Sequence, residues 1–255
     1  MRHTLILLLA LSGFTRPAGA GDAPTARIPI LVELFTSEGC SDCPPADAFL
    51  QQLDRQPFPG AEMVVLSEHV DYWNHDGWKD PYSSSFFSER QAAYAREFTL
   101  PSVYTPEMVV DGSTEFVGSN QAVASKAFAK ALTATKVDIR LTSLSVGSDD
   151  ILRAHVETAA LPKSTKADLY AAVALNHAEF QASAGENAGR RISHTSVARS
   201  VTRIAPLRDN QPLTKDVQLK LPPDVDPKNA RLVVFIQESH QGKVLGATMQ
   251  PFSLQ

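Results

Sequence analysis

The sequence has few cysteines, no excess of positive charge and, after its first residues, no long apolar segment. Its 255 residues include 2 cysteines, so a framework of several disulfides cannot hold the fold together. It has 24 basic and 28 acidic residues, which gives no reason to expect nucleic acid or an anionic membrane surface as a partner. No segment after residue 20 is apolar enough to span a bilayer, so we expect no stable membrane insertion.

The N-terminus has the pattern of a secretory signal peptide. Arg2 and His3 precede the apolar run Leu5–Leu11, and Ala18-Gly19-Ala20 provides the small residues of a cleavage site. Residues 1–20 are therefore predicted to be a signal peptide. The mature chain is expected to be periplasmic or secreted, in a compartment where disulfides persist.

The two cysteines stand three positions apart, directly after an apolar run. Cys40 and Cys43 follow the segment Ile28–Phe35 and are followed by Pro44. A Cys-X-X-Cys pair between a buried strand and a helix is typical of thioredoxin-like redox proteins. We predict an exported thiol-disulfide oxidoreductase in which Cys40 attacks and Cys43 resolves the mixed disulfide. Its partners would be protein or small-molecule thiols and disulfides, it would need no cofactor, and its oligomeric state is left open.

Other interpretations of the pair remain open at this stage. The cysteines can form an inert structural disulfide, or they can be part of a metal site. Cys40, Cys43 and His69 together offer the thiolate and imidazole ligands that suit copper. On this alternative the protein is a copper-binding or partner-docking module without turnover.

Two further segments are expected beside the cysteines, at one edge of the predicted sheet. The segment 69–73 follows the second predicted strand, and Thr105-Pro106 opens an antiparallel strand at the same edge. Thioredoxin-like proteins place a cis proline against their cysteine pair, so we expect a cis Thr105–Pro106 bond. We predict that Thr105, Pro106 and Trp73 bind the substrate.

Charged groups near the pair are predicted to modulate the reactivity of Cys40. Unpaired backbone N–H groups at a helix N-terminus stabilise a thiolate and lower the thiol pKa. Asp42, between the cysteines, opposes this effect because its negative charge disfavours the thiolate. His69 and Asp71, at the end of the second strand, are expected to act on the same thiol.

The character of the chain changes near residue 135. Before it, apolar runs at 30–35 and 63–66 alternate with helical patterns, and Asp111-Gly112 predicts a hairpin turn. After it, about seven short alternating strands are typical of a β-sandwich. We therefore predict an α/β fold class: a thioredoxin-like domain at residues 21–134, followed by an all-β, immunoglobulin-like sandwich domain at residues 135–255.

One segment of the second half has two interpretations. The run from Gly185 to Arg191, together with His194, can contact a partner or can be a tight hairpin loop on the sandwich. The hairpin loop is the interpretation we favour, because loops of this kind join strands in most β-sandwiches.

Several segments resemble a family of secreted, thioredoxin-like bacterial proteins of unknown function. The segments that carry the resemblance are Phe35–Asp47, His69–Trp73, Gly77–Pro81, Arg90-Gln91, Val103–Pro106 and Gly185–Arg190. The resemblance covers roughly residues 28 to 250 and implies the fold, but the family has no assigned reaction. Asp42 and Glu107 depart from the family pattern, where a small residue and Gln are expected. Both add negative charge beside the cysteines.

Overall fold

The structure is a computed structural model that describes residues 27–74, 79–182 and 186–252. The predicted signal peptide, residues 1–20, lies outside these ranges, as do Gly77, Trp78 and Gly185 of the segments that carry the resemblance. Within the described ranges the chain forms three α-helices and eleven strands. None of these helices is long and apolar enough to cross a membrane.

Strands and helices alternate in the first half, as predicted. The elements are β1 (Ile28–Thr36), α1 (Pro44–Arg55), β2 (Ala61–His69), α2 (Ser85–Glu97), β3 (Glu107–Val110), β4 (Thr114–Val117) and α3 (Gln121–Ala131). Local chemistry sets the helix starts, since Ser84 and Asn120 each accept a backbone N–H at the N-terminus of α2 and α3. Between β3 and β4, Asp111 and Gly112 have φ angles of 49° and 57°, as the predicted hairpin turn requires.

The second half is built of strands. They are β5 (Ile139–Val146), β6 (Ile151–Thr158), β7 (Ala167–Gln181), β8 (Arg191–Leu207), β9 (Leu213–Lys220), β10 (Ala230–Glu238) and β11 (Val244–Pro251). β7 and β8 have 15 and 17 residues and form one long antiparallel hairpin. These two strands reach well past the length expected of short sandwich strands.

The predicted fold class is wrong, because both halves of the chain share one sheet. The protein is mostly β, and its large mixed sheet has eight strands in the order β11-β10-β7-β8-β2-β1-β3-β4. β8 joins the halves by pairing parallel to β2 at Val197 and Ser67. Only β5, β6 and β9 form a separate sheet. The chain therefore does not form a thioredoxin-like domain followed by a separate immunoglobulin-like sandwich. The predicted domain boundary at residue 134 stays a prediction.

Helices and the three-stranded sheet cover the two faces of the eight-stranded sheet. On one face, α1 and α3 cover β1 and β2 through buried residues such as Val32, Val65 and Phe128. The three-stranded sheet covers the other end of the same face, over β7 and β10. On the opposite face, α2 packs on β1 and β2, with Phe87 against Leu31. The first face therefore has a seam where α1 meets β8 and the second half of the chain.

Candidate functional site

The cysteine pair lies in the turn between β1 and α1. Cys40 and Cys43 are joined by a disulfide, and they are 1% and 0% exposed. Between them, Ser41 and Asp42 are exposed to solvent. The disulfide is thus covered in this conformation, while the backbone of the turn that carries it reaches the surface. A partner can reach Cys40 only when its cover opens.

The start of α1 differs from the expected arrangement of unpaired N–H groups. Cys43 is the N-cap residue and Pro44 and Pro45 follow it, so the first two helical positions have no backbone N–H to offer. The next two N–H groups, of Ala46 and Asp47, both donate to the carbonyl of Cys43 at 2.9 and 3.1 Å. Backbone donors at this helix end are therefore largely absent or already used. Any stabilisation of a thiolate here needs another source of positive charge.

Trp73 connects the cysteine turn to the proline segment. The Thr105–Pro106 bond is cis, which confirms that prediction. The indole N–H of Trp73 donates to Oγ1 of Thr105 at 2.8 Å. A Cβ on Gly39 would lie 3.2 Å from the Cβ of Trp73, so the backbone beside Cys40 packs directly on this residue. Trp73 thus links the cysteine turn to Thr105, while Pro106 is buried. The binding role of these three residues stays a prediction.

Five buried ionisable residues meet at the seam beside the cysteines. Glu38 precedes Cys40 by two residues, Asp47 lies in the first turn of α1, His69 ends β2, Asp80 precedes α2, and His194 comes from β8. Each is at most 3% exposed. The cluster therefore combines the cysteine turn, α1, β2 and a strand of the second half.

Ion pairs hold this cluster together. The His194 Nε2 lies 2.8 Å from Oε1 of Glu38, and its Nδ1 lies 3.4 Å from Oδ1 of Asp47. His69 Nδ1 lies 2.7 Å from Oδ2 of Asp80, which also accepts the backbone N–H of Glu38. The two imidazole rings contact each other edge to face, with centroids 4.6 Å apart. His194 consequently bridges the residues that flank the two cysteines.

The surroundings of His194 favour its charged form. Burial by itself lowers the pKa of His194, but the negative charges of Asp47 and Glu38 outweigh burial and raise that pKa to about 10. The carboxyl pKa of Asp80 is raised by burial, yet its interaction with His69 and with backbone N–H groups lowers it overall. At neutral pH the seam holds a buried imidazolium between carboxylates.

The hairpin loop between β7 and β8 lies on the cysteine turn. The side-chain amide of Asn187 donates to the carbonyls of Cys40 and Glu38 at 2.8 and 2.9 Å, and Asn187 is fully buried. Glu186 accepts the backbone N–H of Ser41 at 3.2 Å. The segment is thus a hairpin loop, and its described residues contact the cysteine turn, a contact that the sequence interpretation did not foresee.

Polar contacts continue the seam along α1. Gln51 of α1 hydrogen-bonds to Ser193 of β8. One turn later, Asp54 accepts from Thr195 at 2.5 Å and pairs with Arg231 of β10 at 2.7 Å. Asp47, Gln51 and Asp54 therefore lie on one face of α1, with Cys43 at the N-terminal end of that face.

The remaining predicted site residues take different positions. Asp42 is exposed in the cysteine turn. Asp71 faces α2, where its Oδ1 accepts from Ser88 Oγ at 2.6 Å. His69 joins the buried cluster through Asp80. Their influence on Cys40 stays a prediction, and no group of three or more His, Cys, Asp or Glu among the described residues is arranged to hold a metal ion.

Sequence reasoning missed most of the cluster. Glu38, Asp47 and Asn187 belong to segments that carry the family resemblance, which is the one signal that could have singled them out. For His194 the sequence indicates only a place beside the hairpin loop. Residues 38 and 194 are 156 positions apart, and no local pattern relates them.

A second buried network lies under α2, on the opposite face of the sheet. Arg90 pairs with Glu33 of β1 at 2.5 Å, and its Nε lies 3.5 Å from an oxygen of Glu68 of β2. Tyr94 donates to the second oxygen of Glu33 at 2.5 Å. Beyond it, Glu107, the residue after the cis proline, accepts from Gln91 at 2.7 Å. The network thus extends from α2 to Glu107, the residue that directly follows the cis proline.

The chain is similar to one described sequence family and to several solved structures. A family model described as "Protein of unknown function (DUF1223)" matches residues 31–237. A crystal structure of a protein from Agrobacterium tumefaciens is 25% identical with a TM-score of 0.70, over 89% of this chain and 96% of that chain. HBP35 of Porphyromonas gingivalis is 13% identical with a TM-score of 0.66, over 89% of this chain and 76% of that chain. No curated protein matches the sequence.

Proposed function

The chain belongs to the DUF1223 family of unknown function, and we propose that it is an exported thiol-disulfide oxidoreductase. Its partners would be protein or small-molecule thiols and disulfides. The observation that supports this proposal best is the Cys40–Cys43 disulfide at the start of α1, in a turn whose Gly39 packs on Trp73, which in turn hydrogen-bonds to Thr105 before the cis proline. Thioredoxin-like proteins, which the Cys-X-X-Cys segment resembles, use such a pair for disulfide exchange.

The exchange follows the usual two steps of thiol-disulfide chemistry. A partner thiolate attacks Sγ of Cys40, a new S–S bond forms, and the bond between Cys40 and Cys43 breaks with its electron pair on Sγ of Cys43. A second thiolate of the partner then attacks the partner's sulfur atom in the mixed disulfide. The partner's own S–S bond forms, and Cys40 is released as a thiolate. The partner dithiol is oxidised to a disulfide, the cysteine pair is reduced, and two protons end on the two cysteines.

Trapping with single-cysteine variants tests the proposal. We expect Cys43→Ser to form a mixed disulfide with oxidised glutathione through Cys40, because no resolving thiol remains to release it. Cys40→Ser should form none, because in the proposed exchange Cys43 is the resolving thiol and does not react directly with the partner. Intact mass spectrometry counts the glutathione bound per chain, and circular dichroism checks that both variants are folded. The proposal fails if neither folded variant is modified, or if dithiothreitol leaves the wild-type disulfide intact under native conditions.

The cover over Cys40 should control the rate of this exchange. Asn187→Ala removes two hydrogen bonds that hold the hairpin loop on the cysteine turn. Since each is worth on the order of 1 kcal/mol, and 1.4 kcal/mol is a factor of ten, we expect reduction by dithiothreitol to be roughly 30-fold faster. The rate is followed by quenching with a thiol-specific alkylating reagent.

Asn229→Ala is the matched control for this variant. Asn229 also exchanges two hydrogen bonds with a backbone, donating to His177 and accepting from its N–H, but it lies outside the cysteine turn. Its reduction rate should equal that of wild type. If the reduction rate rises equally in both variants, the substitutions loosen the whole fold. That result would contradict the assignment of the hairpin loop as the cover over Cys40.

A further inference from the structure

His194 is a buried residue of the second half that lies in the seam beside the cysteines. It is 1% exposed and lies between a carboxylate of the cysteine turn, Glu38, and a carboxylate of α1, Asp47. Asp47 lies four residues after Cys43 and donates its N–H to the Cys43 carbonyl. Residues at this helical spacing have Cβ atoms about 5–6 Å apart, so Asp47 and Cys43 share one face of α1.

A thiolate on Cys43 would meet an unfavourable local charge without His194. Both cysteines are buried, and Glu38 and Asp47 flank them with negative charge. The N-terminus of α1 cannot compensate through its first two positions, which are prolines. Burial and like charge both disfavour a thiolate, so a nearby cation decides whether Cys43 can leave as one.

We propose that His194 is a positioning residue for disulfide exchange, whose imidazolium, held by Asp47 and Glu38, balances the negative charge that forms on Cys43 when the disulfide opens. This inference rests on the proposed function. In the first step, the electron pair of the broken S–S bond stays on Sγ of Cys43, and His194 supplies the compensating charge without giving up its proton. Cys43 takes up a proton from solvent later, when the mixed disulfide has been resolved.

Within the described part of the chain, titratable groups from several elements face His194. Glu38 faces it from the cysteine turn, Asp47 from α1 and His69 from β2. Asp80 lies behind His69, and the Tyr82 ring lies 6.4 Å from the His194 ring. Three carboxylates therefore surround two imidazoles, an environment that keeps His194 cationic through the pH range in which the thiols titrate. The pKa of about 10 for His194 agrees with this.

Removing the cation should shift the titration of the thiols. In reduced His194→Gln we expect the pKa of the Cys43 thiol, followed by thiolate absorbance in a Cys40→Ser background, to rise by about one unit. Reduction of the disulfide in His194→Gln at pH 7 should be several-fold slower, because a higher pKa of the leaving thiol slows its departure. His155→Gln is the control, because His155 also pairs with a carboxylate, Asp216 at 2.6 Å, but on the three-stranded sheet. It should leave the thiol pKa and the rate unchanged.

A measurement on the wild-type protein keeps the inference testable if His194→Gln does not fold. The pKa of the His194 ring, followed by NMR of the ring nitrogens, should be about one unit higher in the reduced form than in the disulfide form, because a thiolate then lies near it. An equal His194 pKa in both forms, or an unchanged thiol pKa in folded His194→Gln, overturns the role of His194 while the proposed function stands. A wild-type disulfide that neither dithiothreitol nor glutathione opens overturns both.

Discussion

Arg90→Met should lower the free energy of unfolding by roughly 3–5 kcal/mol, the largest effect we expect from any single substitution in this chain. Arg90 lies on the buried face of α2 and pairs with Glu33 at 2.5 Å, and its Nε lies 3.5 Å from Glu68. Both carboxylates have 0% side-chain exposure. Methionine fills much of the same space but leaves these two carboxylates without their cation.

The cost arises mainly from the unpaired carboxylates. Neither oxygen of Glu68 has a hydrogen-bond partner among the described residues, so Arg90 is its principal compensation. Burial, and then repulsion from Glu33, already raise the pKa of Glu68 well above its ordinary value. Without Arg90, both carboxylates must either stay charged in an apolar environment or take up protons at neutral pH.

Urea denaturation of wild type and Arg90→Met at pH 7 measures this effect. Arg153→Met is the control, because Arg153 pairs with Asp149 on the exposed surface and its removal should leave the transition almost unchanged. Adding Glu33→Met and Glu68→Met to Arg90→Met should recover most of the lost stability, since apolar replacements of a whole buried ion cluster are often neutral. A triple variant no more stable than Arg90→Met would place the cost in lost packing of the Arg90 side chain instead.

The second large effect should be a stabilisation that depends on pH. Glu107 follows the cis proline, is 0% exposed, and has one carboxylate oxygen without a hydrogen-bond partner in the described part of the chain. Burial raises its pKa to about 7, with further contributions from the charges of Glu115 and Glu33, although the hydrogen bond from Gln91 opposes the rise. Glu107→Gln keeps the shape and the ability to accept from Gln91 but removes the charge.

The sign of this dependence follows from proton uptake. An acid with a raised folded pKa binds more protons in the folded state than in the unfolded state, so its contribution to stability falls as pH rises. For Glu107 the fall runs from its ordinary pKa of 4.5 to the folded value of about 7. Glu107→Gln should therefore match wild type near pH 4 and be more stable by roughly 3 kcal/mol at pH 8.

Urea denaturation at a series of pH values provides the test. Glu62→Gln, at an exposed position of β2, should follow the wild-type curve throughout. If Glu107→Gln is equally stable to wild type at pH 8, the carboxylate is solvated and the assigned environment is wrong. The same experiment also examines one of the two departures from the family pattern, because Gln is the residue expected after the proline.

Several features of the first half were predictable because their signals are local. Asp111-Gly112 identified the hairpin turn, since few other pairs adopt positive φ at both positions. Pro44 and Pro45 placed the start of α1 within a few residues of Cys43, because two prolines fit only the first turn of a helix. Cys40 and Cys43 are only three positions apart, so the turn expected between the strand and the helix brings them within reach of each other. Each of these signals depends on neighbours within a few residues.

The strand pairing of the second half was beyond such reasoning. Alternation of apolar and polar residues predicted strands there, but it does not say which strands become neighbours. β7 and β10 are buried on both faces in their central parts, where Val173 and Ala172 point to different cores. The contact of β8 with β2, at Val197 and Ser67, then made one sheet from the two halves.

The sequence by itself determined the cysteine pair, the helix that begins after it, the proline segment and the family of the chain. Only the tertiary structure placed Asn187 over Cys40 and His194 between Glu38 and Asp47. The physical reason is that propensity, capping and turn chemistry act between near neighbours, whereas these contacts join residues about 150 positions apart through strand pairing and helix packing. The surroundings of the disulfide therefore depend on the second half of the chain.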